Sequence, residues 1–478
     1  MRGGVGFLLG NGAVHASDSL IAETTSQGVD TSPARGAGVA FGALEVIALP
    51  LILFWGRQGW FGTDDWDFLA DRKAGNLADL LRPHYQHWTT IPVVAYRVLW
   101  SLVGLRSYWP YLLVVILGHL SVAALLRVVM RRAGVGSWLA TAMVAPFIFF
   151  GAGAENILVA FQITFVGALA FGLVHLLLVD HDGRVDRRDW LGLAAGLAAL
   201  LCSGVAISMV IAVGIATLLR RGWRVAVLHT VPLGAVYVIW LQFAPTGESA
   251  GQYRAQSPLE VIKFVGIGAE AAIAGLGGIS ALGIALALIL LVGASFMIRQ
   301  QGWQIVRTSG AVPVALLFSA LIFLTVTGIG RAGATGLVAI FDGSGPERAR
   351  QSRYVYVVAA MLLPALGITA QNVVRNWPRV AFGVAALLVI GTAGNTVHLT
   401  TYGHRFRAAD TQKNFILIAP RLPVAGRLPP SLKIAPDLPI GWLIAAVQDG
   451  RAPAAPKFTA AQASGATTIR CSQGVLVP

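Results

Sequence analysis

The densest chemistry in the chain is a run of acids followed closely by an Arg/His cluster. Gly62-Thr63-Asp64-Asp65-Trp66-Asp67 stands just after the first long apolar run, and Arg82-Pro83-His84-Tyr85-Gln86-His87-Trp88 comes about twenty residues later. Two adjacent carboxylates cannot both ionise freely, so one pKa tends to rise. A carboxylate beside a sugar hydroxyl can act as a general base. The plainer reading is a helix start, with Thr63 as cap and Asp64 and Asp65 stabilised by the helix dipole. His84 and His87, three residues apart, could share a divalent metal, but no third ligand follows at a clear spacing. Beside Trp88 they are more often structural.

Two further groups follow. Glu155-Asn156 stands at the start of an apolar run, with Gln162 one to two turns on, and polar groups at membrane depth are costly and often functional. The plainer alternative is a cap and an interhelical hydrogen bond. Arg331 closes another apolar run, and Arg348, Arg350 and Arg353 crowd the short stretch Gly343–Tyr354. Arg grips phosphate oxygens in bidentate fashion, so a lipid phosphate or pyrophosphate is the natural ligand; simple attraction to anionic headgroups is the alternative.

The frame around these residues is apolar. Of 478 residues, 56% are hydrophobic and 12% charged, against roughly 25% charged in a soluble domain. Apolar runs of roughly 20 residues recur along the chain, which makes it an all-α, multi-pass membrane protein. The short alternating segments of a membrane barrel are absent. The net charge of +14 sits in short basic clusters between apolar runs, the positive-inside pattern, and does not point to nucleic acid. The two cysteines, Cys202 and Cys471, are placed too differently to suggest a disulfide. Arg outnumbers Lys, a bias that goes with GC-rich bacterial genomes.

Runs at 38–55, 109–130, 138–151, 157–179, 190–203, 205–219, 225–243, 281–298, 311–330, 353–371 and 380–399 give about 11 spans. The positive-inside rule decides the ambiguous stretch 261–298: Arg127, Arg131, Arg132, Arg184, Arg187, Arg188, Arg220, Arg221 and Arg224 share a side with Arg299, Arg307, Arg375 and Arg379 only if that stretch crosses once. Residues 261–278 then lie along or dip into the outer face. Residues 1–37 read as a disordered cytoplasmic tail, 38–400 as the transmembrane domain with a first outer loop at 56–108, and 401–478 as a small or flexible outer segment. This topology puts Asp64, Asp65, Arg82, His84, His87, Glu155, Asn156, Arg331, Arg348, Arg350 and Arg353 outside. Orientation rules leave outer loops poor in Arg, so these arginines ask for an anionic partner. In the first loop, two helices, about 64–82 and 90–104, are expected to lie in the interface, the first broken at Gly75-Asn76 and ended by Pro83.

The order Asp-Asp-Trp, His-x-x-His-Trp, Glu-Asn with Gln six residues on, and Ser-Arg-Tyr resembles the GT-C superfamily, in particular a group of poorly characterised, largely actinobacterial membrane proteins assigned to it. GT-C proteins are membrane glycosyltransferases that use polyprenyl-phosphate-linked sugars. The resemblance covers about 38–400. It implies an outward-facing site in the bacterial plasma membrane, a single inverting displacement, and Asp64 or Asp65 as base. It also implies Arg331, Arg348, Arg350 or Arg353 on the departing phosphate, help from Arg82, His84 or His87 at phosphate or sugar, and Glu155 and Gln162 lining the sugar pocket. The acceptor, a glycan, lipid or protein, is left open. No large C-terminal domain of the kind that binds acceptor in several members is evident.

Two other classes use the same surface. A transporter or flippase of a lipid-linked glycan needs ionisable residues along a path through the bundle, and those inside the spans (Glu45, His119, His175, His229, Glu270) form no evident relay. A noncatalytic subunit of an envelope-assembly machine makes Asp64 and Asp65 dispensable.

Overall fold

A computed structural model describes residues 32–73, 75–243, 253–333, 345–405 and 410–455. Most of the expected tail, Cys471, and Gly343 and Ser344 of the basic stretch lie outside the described residues. Residues 32–37 are not tail but the beginning of the first long helix, α1 (Ser32–Gly56).

Four short elements fill the first loop: α2 (Thr63–Trp66), a π-helical turn (Asp67–Asp71), α3 (Leu77–Leu81) and α4 (Thr90–Val103). The bundle continues with α5 (Trp109–Arg132), α6 (Ser137–Ile148), the short α7 (Ala154–Leu158) and α8 (Ile163–Val179). A compact group follows: α9 (Arg187–Leu200), α10 (Ala206–Arg221) and α11 (Trp223–Phe243). Next come α12 (Pro258–Gly277), α13 (Ser280–Gln301), α14 (Ala311–Arg331), α15 (Ser352–Asn376) and α16 (Val380–Arg405). The last described part holds α17 (Asp410–Ile418), a two-residue-scale hairpin of β1 (Lys433–Ala435) and β2 (Leu438–Pro439), and α18 (Ile440–Gln448). The protein is therefore an all-helical, multi-pass membrane protein.

Among the described residues, eight helices have the length and hydropathy to cross a bilayer, or nine if the pair Ser137–Ile148 and Gly151–Leu158, bent by 45°, counts as one span. The expected eleven exceeds this because α9 has 14 residues and α10 has 16. At about 1.5 Å per residue each is shorter than roughly 30 Å of hydrocarbon, although Leu201 and Gly204 between them reach Ile91 and His87 of the first loop. The centre of the bundle is α15, from Tyr354 to Ala370 buried at every position. It packs against α5, α6, α12, α13 and α14. A helix apolar on all sides belongs in such a centre.

The stretch 258–301 is two helices, and of these only the second is among the helices long and apolar enough to cross. Ala255 N–H donates to the Ile329 carbonyl (3.0 Å) and Gly333 N–H to that of Tyr253 (3.0 Å), tying the entry of α12 to the end of α14. Ser257 caps α12, and Gly278, in the left-handed region at φ 73°, ends it. From there α13 runs parallel to α15: Gly293 sits against Thr369, and Gln300 bonds Asn376 (2.7 Å). Both ends of α12 thus lie at the end of the bundle where α14 finishes and α15 begins. Its buried stripe, Phe264, Gly268, Ala272 and Leu276, has the four-residue spacing of a helix laid into a groove.

Candidate active site

The expected helix over 64–82 is broken into three pieces. Gly75 takes φ 86°, a left-handed conformation suited to glycine, and Asn76 caps α3 by accepting from Ala78 N–H (3.0 Å). The cap position of α2 is Gly62, with Thr63 the first helical residue. Trp66, Phe68 and Leu69 are buried, whereas Leu77 and Leu81 are exposed. The first half of the loop therefore packs into the protein and the second half turns outward. Its position is pinned from the side. Trp88 stacks flat on Trp240 (5.1 Å between centroids), Trp240 Nε1–H donates to the Leu81 carbonyl (2.8 Å), and Ile91 N–H donates to that of Leu201 (3.1 Å).

The three acids of this loop do three different things. Asp67 is a hub. Its Oδ2 accepts from Arg72 Nη2 (2.6 Å) and Nε (3.0 Å) and from His84 Nδ1 (2.7 Å), and its Oδ1 from Arg82 Nη2 (2.9 Å). Burial opposes its charge, but the bonds from His84 and Arg72 prevail and hold its pKa well below the usual carboxylate range. Asp65 is fully buried and occupied: Oδ2 accepts from Gly62 N–H (2.6 Å) and Oδ1 from the Tyr96 hydroxyl. Its pKa is pushed up to about 7, first by burial; repulsion from Asp64 is a smaller contribution. The adjacent pair does split, as expected, but by desolvation more than by charge. Asp64 is the exposed one, with its side chain 36% accessible, and His84 Nε2 lies 3.7 Å from its Oδ1.

The two histidines also differ. Burial weighs against charge on His84, but Asp64 and Asp67 outweigh it and raise its pKa. Burial, with His84, Arg331 and Arg353 nearby, pushes His87 down to about 3, so it is neutral. His87 Nδ1 accepts from Gly204 N–H (3.3 Å), and a Cβ at Gly204 would come within 2.8 Å of that nitrogen. The backbones of His84 and His87 bond each other both ways (3.0 and 2.9 Å) around Tyr85 at φ 51°. Their rings are committed to separate partners.

Among the other expected site residues, Arg353 lies 3.8 Å from Glu155, whose Oε1 also accepts from Gln162 Nε2 (2.8 Å). The charge of Asp64 reaches both Glu155 and Arg353. Arg331 and Arg348 share one ring: their guanidinium carbons stand 5.3 and 4.5 Å from the Tyr253 centroid. Tyr85, largely exposed, feels the charges of Asp64, Asp437 and Arg331. Asp64, Arg353, Glu155, Gln162, Arg331, Arg348 and His87 thus form one neighbourhood. Two arginines stand apart. Arg82 is spent on Asp67 and Asp71 (2.9 and 3.0 Å), and Arg350 on Glu270 and Glu347 (2.6 and 2.9 Å). Asn156 is fully buried, and its amide atoms have no hydrogen-bond partner among the described residues, as is true of Gln162 Oε1.

Sequence reasoning gave no role to Arg72, whose partners Asp67, Asp79 and Arg82 are within ten residues, nor to Tyr96 or Tyr253, whose partners are distant in the chain. It also left open what 401–478 does. Residues 410–455 form a small cap on the first loop. Trp442 packs on Trp100 (4.8 Å) and Trp66 (6.5 Å), Arg451 Nη1 donates to the Trp100 carbonyl (2.8 Å), and Leu105 N–H donates to the Arg451 carbonyl (2.7 Å). Gly104, at φ 59°, lets that strand of backbone approach; a Cβ there would lie 2.6 Å from the Arg451 oxygen.

At the other end of the bundle the structure corrects one expectation. His175 and His229 are linked (Nε2 to Nδ1, 3.1 Å), and His229 Nε2 reaches Asp189 Oδ1 (3.0 Å), so two of the intramembrane histidines do form a chain, while His119 bonds Tyr356 and the Ile148 carbonyl instead. Arg221 closes it on Asp189 (2.5 and 3.2 Å). Among the described residues, the trio with metal-like spacing, His181, Asp186 and Asp189, also lies here. Its carboxylates are already bonded by Arg188, Arg221 and His229, which weighs against a cation.

No family model matches the chain, and no curated protein matches it in sequence. Among solved structures it is similar to the crystal structure of ArnT from Cupriavidus metallidurans in the apo state. The TM-score is 0.50 at 15% identity, over 92% of this chain and 89% of that one. At that identity the likeness concerns the fold alone: this is a helical, multi-pass membrane protein whose fold is similar to that of the ArnT structure.

Proposed function

We propose that the protein is a membrane glycosyltransferase that moves a sugar from a polyprenyl-phosphate donor to a cell-envelope acceptor, with Asp64 as general base. The observation that carries this reading is the division of labour among the three acids. Asp67 and Asp65 have their oxygens bonded, while Asp64 presents a half-exposed carboxylate within electrostatic reach of Arg353 and Glu155. In the proposed step the acceptor hydroxyl gives its proton to Asp64 as its oxygen bonds the anomeric carbon. The bond from that carbon to the phosphate oxygen breaks, and the electron pair leaves on the polyprenyl phosphate. Arg331, Arg348 and Arg353 face that growing charge. Asn156 and Gln162, buried with unpaired polar atoms, suit the hydroxyls of a sugar, because an unpaired buried group costs about 1–3 kcal/mol.

The arginines at the ends of α5, α10 and α13 crowd the opposite end, and the positive-inside rule makes this support for reading Asp64 as outside, at the plasma membrane surface. The His175–His229–Asp189 chain favours a second reading, a transporter of a lipid-linked glycan, since it sets ionisable groups inside the bundle. One experiment separates them. Asp64→Asn is expected to abolish transfer from a radiolabelled polyprenyl-phosphate sugar in membranes while the chain still inserts. Wild-type transfer rates in both Asp64→Asn and Asp64→Ala would sink the enzyme reading.

A further inference from the structure

The hub of charge under the site does not touch the neighbourhood of Arg353 directly; it reaches Asp64 through one ring. His84 is buried, its imidazole packed edge-on to Phe68 (5.5 Å) and Tyr85 (4.6 Å) and tilted on Phe161 (5.0 Å). Its Nδ1 is fixed on Asp67 at 2.7 Å, and Asp67 is clamped by Arg72 and Arg82. Arg72 also donates to the carbonyls of Asp79 (3.0 Å) and Arg82 (2.6 Å), so the hub holds the strand that leads into His84. The ring therefore has one orientation, and its second nitrogen, Nε2, is buried with no closer partner than Asp64 Oδ1 at 3.7 Å.

We propose that His84 is a positioning residue for Asp64: anchored by Asp67, it turns a protonated Nε2 onto one oxygen of Asp64 and leaves the other to meet the acceptor hydroxyl. This rests on Asp64 being the base. His84 keeps its own protons throughout, and the acceptor's proton goes to Asp64. The arrangement assigns Asp67, Arg72 and Arg82 to supporting the base, not to holding phosphate, and it explains why a buried cluster of this size sits beneath one exposed carboxylate. The charged and titratable groups around the ring are Asp64, Asp65 and Asp67, with His87 beyond and Arg72 and Arg82 behind Asp67. The anionic side dominates, in keeping with a protonated ring.

The test is a titration of 15N-histidine-labelled full-length protein in nanodiscs, with the His84 signal assigned by its loss in His84→Gln. A midpoint above the ordinary histidine value of about 6.5 is expected, falling by about one unit in Asp64→Asn, because an opposite charge within 4–6 Å is worth about that much or more. Asp64 is half-exposed, so that variant keeps its fold; gel filtration checks this. A His84 midpoint unchanged by Asp64→Asn overturns the proposal. The transfer assay runs beside it: His84→Gln is expected to lower turnover at least tenfold with the KM for the lipid donor little changed. A purely structural role would scale the amount of active protein and leave His84 deaf to Asp64. If wild-type protein shows the imidazole coupling but no transfer, the enzyme reading fails and the contact stands. If transfer is present and the coupling absent, the enzyme reading stands and His84 is not its positioning residue.

Discussion

The two ends of the bundle are built from the same residue types and differ in what is left over. At the Asp189 end, Asp189 is completely buried and accepts from Arg221, from His229 and from the backbone of Asp186 (2.9 Å), while Arg220 pairs with Asp180 and Asp182. Each carboxylate there meets a cation. At the Asp64 end, Asp67 is saturated in the same way, yet the neighbouring acid is left half-exposed, within electrostatic reach of Arg353. A satisfied cluster holds helices together; a cluster with one acid to spare can do chemistry. The types of residue present do not distinguish the two, and the census of their hydrogen bonds does.

The largest effect that would break this contrast is at Asp64 itself. Removing a general base costs roughly 10²–10⁴-fold in rate, so Asp64→Asn is expected to lose transfer by that factor with unchanged thermal stability. Asp189→Asn is expected to do the reverse. Breaking a buried ion pair costs about 3–5 kcal/mol, so the melting temperature falls sharply while transfer per folded molecule stays within about twofold. Differential scanning of both variants, paired with the transfer assay, checks the two together. Equal losses of activity in both would erase the distinction between the ends.

A smaller effect separates the two adjacent acids. The folded pKa of Asp65 is raised from 3.8 to about 7. The folded state therefore holds a proton that the unfolded chain releases, and stability from this group is fully present below pH 4 and lost as pH rises through 7. Asp65→Asn removes that dependence. Between pH 5 and 8 the wild type is expected to lose stability relative to the variant by on the order of a few kcal/mol, read as diverging melting temperatures. Parallel curves would mean that Asp65 ionises freely.

How far this was legible in the sequence follows from the range of each interaction. The apolar runs, their number within two or three, and the division of 258–301 into one helix apolar enough to cross and one that is not were readable because hydropathy and basic clusters are local. Asp64, Glu155 and Arg353 were readable as types out of place at a membrane surface. The helix over 64–82 was overcalled, because its apolar pattern did not reveal that Phe68 and Leu69 pack inward while Leu77 and Leu81 do not. The roles of Tyr96 and Tyr253 were not readable, since each is set by a partner brought near only by folding; Arg72 has its partner Asp67 only five residues away, and its pairing depends on the local turn of the loop. The chain from His175 to Asp189 was hidden for the same reason: its members come from three helices, 54 and 40 residues apart along the chain.

The smallest expected effect sharpens the contrast inside the basic stretch itself. Arg350 and Arg353 are three residues apart and looked equivalent. In the folded protein Arg350 is half-exposed and paired with Glu270 and Glu347, both more than half-exposed. Arg353 instead faces Glu155 and feels Asp64. Exposed ion pairs are worth about 0–1 kcal/mol, so Arg350→Ala should change the melting temperature by no more than a few degrees and leave transfer within about twofold. Arg353→Ala should cut transfer roughly tenfold to a hundredfold, with the loss growing as the leaving phosphate is made more basic, because its charge is then harder to stabilise without a guanidinium. A large loss in Arg350→Ala would mean that the stretch acts as a diffuse basic patch on lipid headgroups. A null result at both positions would move the phosphate to Arg331 and Arg348 on either side of Tyr253.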